Sequence, residues 1–174
     1  MTLQDLAVEK VPEKEEFQTE QVITISGAHF VHDVYSAFLA PLLPLLIEKM
    51  SLSLTQAGSL TAFLQFPAIL TPLIGHFADK YNLRYLVIIA PALTATMMST
   101  MGLAPGFGSL ALILLLAGVS VAFFHAPAPA MVGQISGKRV GKGMSWLMTG
   151  GELARTVGPL VAVWAASIWA LEGM

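Results

Sequence analysis

Polar and apolar positions along this chain fall into blocks rather than an alternation. After a polar opening come five long apolar stretches, at 22–47, 55–78, 84–104, 109–133 and 144–169. Each is divided from the next by a short polar or turn-forming segment: Glu48-Lys49, Asp79-Lys80, Pro105-Gly106-Phe107-Gly108, and the glycine-rich loop 134–143. A spanning helix needs roughly 20 mostly apolar residues, and each stretch reaches that length. The pattern predicts an all-α, polytopic membrane protein with five transmembrane helices. The connections are short, so consecutive helices are expected to be antiparallel neighbours. Ser51 or Ser53 is placed to cap the second helix and Ser109 the fourth.

Composition agrees with this reading. Hydrophobic residues make up 55% of the 174 and charged ones 11%, against about 25% charged in soluble domains; the mean hydropathy is +0.71. A net charge of −2 gives no reason to expect a nucleic-acid partner, and the absence of cysteine excludes a disulfide framework or a thiolate site. Residues 1–20 are polar and mostly acidic, without the apolar core of a cleavable leader, and read as a disordered cytoplasmic tail. Lys10, Lys14, Lys80, Arg84, Lys138, Arg139 and Lys142 would lie on the N-terminal side of the membrane and only Lys49 on the other. By the bias of basic loops toward the cytoplasm, the N-terminus is inside. Five spans then place the C-terminus outside, as in a fold lacking its last piece.

Charged groups inside such stretches are costly and normally face a cavity or a partner. His29, His32 and Asp33 sit within five residues of the first helix, with His29 and Asp33 at i,i+4 on one face. A carboxylate beside imidazoles is a proton-binding arrangement; the plainer reading is that the three only hold helix to helix. Glu152 and Arg155, at i,i+3 in the fifth helix, read either as a structural ion pair or as a substrate contact. His125 lies beside Pro127 and Pro129, and Gln65 beside Pro67 and Pro72. Such prolines free backbone carbonyls, and broken helices of this kind flank transporter binding sites. Gly143, Gly150, Gly151 and Gly158 read mainly as close helix packing, and Gly158-Pro159 is expected to bend the fifth helix or weaken it locally. Phosphate-binding loops, HExxH and GxSxG are absent, and the chain does not read as an enzyme. Beyond His29, His32 and Asp33 the spacing offers no metal cage, so neither a metal nor another cofactor is expected.

The loop Gly75-His76-Phe77-Ala78-Asp79-Lys80-Tyr81-Asn82-Leu83-Arg84 resembles the signature between the second and third helices of the major facilitator superfamily. Gly75, Asp79, Lys80 and Arg84 fall on its positions, whereas Asn82 and Leu83 depart from it. His29-Phe30-Val31-His32-Asp33, Phe124-His125-Ala126-Pro127 and the segment from Gly150-Gly151 to Gly158-Pro159 resemble the fosmidomycin-resistance-type branch of drug exporters. Ala154 replaces a glycine of the antiporter motif, and the fourth helix lacks the family's arginine.

The resemblance implies the N-terminal part of a proton-coupled exporter of a small organic compound, in a bacterial inner membrane. Asp33 with His29 and His32 would couple to protons. His125, Glu152, Arg155 and Gln65 would line the substrate cavity, and Gly75, Asp79, Lys80 and Arg84 would form a conformational gate. The complete fold has twelve helices, so the chain is expected to be a truncated or split product that pairs with a second half or with itself. A membrane interaction or regulatory protein that has lost transport is the alternative.

Overall fold

The computed structural model describes residues 16–78, 80, 81 and 83–173. Most of the acidic tail and Asp79, expected as a gate residue, therefore lie outside the described residues. Every regular element among the described residues is helical. The order is α1 (Thr19–Ser36), α2 (Leu39–Met50), α3 (Leu54–Gln65), α4 (Thr71–Ala78), α5 (Arg84–Ser99), α6 (Phe107–His125), α7 (Pro127–Ile135) and α8 (Val140–Trp169).

These elements form the five rods expected, three of them interrupted. Pro41 has no N–H for the Ala37 carbonyl, and the first rod breaks between Ser36 and Leu39. In the second rod Pro67 lies in a 3-10 segment, Phe66–Leu70, that separates α3 from α4. In the fourth, Pro127 opens α7 directly after Ala126. The fifth behaves otherwise: α8 runs unbroken through Gly158-Pro159, so the expected local weakening does not interrupt it. Of the two serines offered as caps for the second rod, Ser53 takes the role, with Gln56 completing a reciprocal capping box. Ser109 instead lies inside the first turn of α6 and reaches back to Gly106, donating to its carbonyl at 2.8 Å.

Four rods are long and apolar enough to cross a membrane: Thr19–Met50, Leu54–Phe77, Arg84–Leu103 and Phe107–Ile135. The fifth has the length, at 30 residues. It is diluted by glycines, hydroxyls and the Glu152/Arg155 pair, because one of its faces is spent on close packing against α1. The chain is an all-helical integral membrane protein.

The rods pack around a core in which Leu42, Leu46, Leu60, Met98, Leu110 and Leu114 are fully buried. The most extensively packed pair, the first and fifth, runs parallel rather than antiparallel, Gly150 lying against Ser26 and Gly158 against Val34. At one end Lys49 donates to the Gly102 carbonyl at 2.6 Å and pairs with Glu172, tying together the ends of the first, third and fifth rods. At the other end the Gln18 N–H donates to the Ile135 carbonyl at 3.0 Å, and the Lys142 ammonium lies over the Phe17 ring.

α1 and α8 approach closely along their length. A Cβ added to Gly150 would stand 2.5 Å from the Ser26 carbonyl oxygen. Added to Gly151, it would stand 2.6 Å from the His29 ring. Both are below any normal contact, so only glycine admits this spacing, as the sequence reading of these residues as packing positions expected.

Candidate functional site: a buried carboxylate among three imidazoles

Asp33 is the one buried acid among the described residues, 2% exposed. It lies near the middle of the first rod, where an unpaired charge would be expensive, and imidazoles approach it from two helices. His32 Nδ1 lies 2.9 Å from Oδ1, His125 Nε2 lies 3.1 Å from Oδ1, and His29 Nε2 lies 3.3 Å from Oδ2. The i,i+4 spacing accounts for His29, and His125, the last residue of α6, reaches Asp33 from across the bundle. Phe124, fully buried, stacks on the rings of His29 and His32 at centroid distances of 5.4 and 4.8 Å.

The far side of each buried imidazole is fixed by a partner. His29 Nδ1 lies 2.7 Å from the Leu147 carbonyl oxygen, which only accepts, so Nδ1 carries the hydrogen. Close packing of α8 at Gly150 and Gly151 brings that carbonyl within reach. For His32 the order of donation is set by a chain of hydroxyls. Ser120 Oγ donates to the Ala90 carbonyl at 2.9 Å, and Thr94 Oγ1 donates to Ser120 Oγ at 2.8 Å. With its own hydrogen spent, Thr94 accepts from His32 Nε2–H at 3.1 Å. A neutral imidazole held in either way turns a lone pair toward Asp33. Each contact with the carboxylate is then attractive only when a cation occupies it. His29 Nε2 shows the need most directly, since it is buried, faces Oδ2 and makes no aligned hydrogen bond.

One face of this cluster opens into a cavity of about 370 Å³ lined by Asp33, Ser36, Gln65, Gly118, His125 and Arg155, among others. Of the residues expected to line a cavity, Gln65, His125 and Arg155 do so. Glu152 does not; it holds Arg155 at 3.1 Å. That pair is not buried, since both side chains are about two-thirds exposed (65% and 69%). His32 is fully buried behind Asp33 and does not reach the cavity. Of the residues expected to form a gate, Gly75 is half-buried within α4, while Lys80 and Arg84 are exposed. The Arg84 guanidinium stacks over the Tyr85 ring.

A family model described as Major Facilitator Superfamily matches residues 25–173. The chain belongs to this superfamily. Two superfamily relatives extend the comparison. The chain is 30% identical to the fosmidomycin resistance protein of Escherichia coli (strain K12), over 79% of its own length and 34% of the relative's. It is 27% identical to the uncharacterized MFS-type transporter YfnC of Bacillus subtilis (strain 168), over 80% of its length and 34% of that protein's. It thus spans about a third of the length of these relatives. No solved structure matches it significantly. The structure also holds a hydroxyl pair, Thr94 and Ser120, that the sequence reading passed over. Other hydroxyls in these spans, such as Thr96 and Ser145, bond back to the carbonyl four residues earlier, and nothing in the sequence marks Thr94 and Ser120 apart from them.

Proposed function

We propose that the chain is the N-terminal portion of a proton-coupled secondary transporter that exports a small organic compound. The observation that carries this reading is Asp33. It is a buried carboxylate at mid-span, contacted by three imidazoles and reached from a cavity. A proton entering a contact between Asp33 and a histidine changes the charge of the cavity wall, and a charge change at a rocking interface is how a proton gradient drives alternating access. His29 and His32 share the proton with Asp33. His125, at the cavity edge, exchanges it with the cavity. Gln65 and Arg155 contact substrate, with Glu152 holding Arg155 in place. Gly75, Asp79, Lys80 and Arg84 form the gate at the loop between the second and third rods.

Alternating access needs two bundles around one site, so the working unit includes a second half-transporter chain or a second copy of this one. The orientation proposed is N-terminus in the cytoplasm of a bacterial inner membrane, from the excess of Lys and Arg at that end. Fosmidomycin, named for one relative, is the first compound to test.

Cells producing the chain, alone and with a second six-helix half, are loaded with fosmidomycin or another small compound and efflux is followed. The expected result is efflux that a protonophore stops and that Asp33→Asn brings to background. Efflux indifferent to both would sink the proton-coupling role. Absence of efflux in both settings, from chain shown to be membrane-inserted, would sink transport.

A further inference from the structure

Among the described residues, His29, Asp33 and His125 form a donor set whose ligand atoms all lie within 4.8 Å of one another. We propose that these three side chains bind a divalent transition metal of the Zn²⁺ class, at a site open to the cavity. The inference stands apart from transport, because it concerns binding to the chain itself.

Three observations carry it. First, His29 Nε2 is buried and has no aligned hydrogen-bond partner. Its Nδ1–H is committed to the Leu147 carbonyl at 2.7 Å, so Nε2 presents a lone pair. A metal-ligating histidine is held in the same way, its second nitrogen donating to a carbonyl or carboxylate that fixes the tautomer.

Second, the spacing suits the ion. Two ligand atoms about 2.0–2.1 Å from a tetrahedral zinc stand about 3.3 Å apart. Here His29 Nε2 lies 3.3 Å from Oδ2 and His125 Nε2 lies 3.1 Å from Oδ1. These distances run to different oxygens of the carboxylate, so the donor set, within 4.8 Å, must contract around the ion, and His125, a third exposed at the cavity edge, is placed to move.

Third, the carboxylate is itself held. With a proton on Nδ1 and its Nε2–H donating to Thr94, His32 donates to Oδ1 at 2.9 Å. Such support behind a ligating carboxylate is characteristic of metal sites.

Two imidazoles and one carboxylate suit zinc and its neighbours rather than Mg²⁺ or Ca²⁺, which take oxygen ligands. The cavity side supplies the remaining position for water or another ligand. Arg155 is the one cation lining that cavity, and Glu152 at 3.1 Å offsets its charge.

The test uses tag-free full chain in detergent, titrated with Co²⁺ as a spectroscopic probe and then with Zn²⁺ in competition. One Co²⁺ per chain is expected, with the intense visible bands of four- or five-coordinate cobalt, displaced by one equivalent of Zn²⁺. His125→Ala, at a position a third exposed at the cavity edge, is expected to weaken binding by more than about 10-fold, the lower range for losing even a supporting group. His29→Ala is expected to do the same, and His76→Ala, at an exposed histidine of α4, to leave the affinity unchanged. Absence of low-coordinate cobalt bands would overturn the proposal. So would binding that His125→Ala leaves intact in chain of unchanged helicity and melting temperature.

Discussion

Gly158 of α8 lies directly against the Val34 carbonyl of α1, so closely that a Cβ on the glycine would stand 2.7 Å from that oxygen and 2.9 Å from the Ala37 Cβ. The obstacle is largely backbone, which cannot swing aside. Gly158→Ala is therefore expected to push the two helices apart and destabilise the protein by about 1–3 kcal/mol, the usual range for overpacking. Thermal unfolding of the purified variant in detergent reads this, with Gly133→Ala as the comparison. Nothing lies within 4 Å of a Cβ added at Gly133, so that change should be near neutral. Equal melting temperatures for the two variants would mean that α1 and α8 are not held at this spacing in the protein.

The hydroxyl chain behind His32 gives a prediction with a direction for each member. Thr94→Val keeps shape but removes the acceptor for His32 Nε2–H, leaving a buried donor unsatisfied at a cost of about 1–3 kcal/mol. Ser120→Ala should cost less. Thr94 then has a free hydrogen, can turn it on His32 Nε2, and moves the imidazole hydrogen to Nδ1, facing Asp33. Thr94→Ser should retain the contact. Unfolding curves for the three variants rank them, and nitrogen NMR of the labelled imidazole reports the tautomer. A Thr94→Val protein as stable as the parent would rule out the assigned order of donation.

How much of this was legible beforehand varies with the kind of interaction. The five rods followed from segment length and hydropathy, because lipid demands long apolar helices whatever their partners. The interruptions at Gln65 and at His125 were legible because proline withdraws a donor locally. At Pro159 the helix continues without interruption, packed along its length against α1. The His29–Asp33 contact was visible as an i,i+4 pair on one helix.

The arrival of His125 depends instead on the packing of α6 against α1, which no spacing within either helix encodes. Thr94, Ser120 and the Leu147 carbonyl were illegible for the same reason. A hydroxyl that crosses to another helix and one that bonds back four residues look identical in sequence. That the Glu152–Arg155 pair is exposed was not legible either, because an i,i+3 pair fixes mutual distance but not which way their shared face points.

At the end of the bundle opposite the chain start, the Lys49 ammonium beside Glu172 holds its carboxyl below the usual carboxylate range, and the same ammonium donates to the Gly102 carbonyl. A carboxyl with a depressed folded-state value adds stability above its unfolded value and loses it as pH falls through the folded one. Glu172→Gln should therefore melt lower than the parent near neutral pH. The gap should close on acidification through the ordinary carboxylate range and below it. Because Glu172 is exposed, the pair is screened, and high salt at neutral pH should also narrow the gap. Melting temperatures of the two proteins from pH 7 to pH 3, at low and high salt, make the measurement. A gap that stays constant with pH would show that Glu172 acts at this end without its charge, through packing alone.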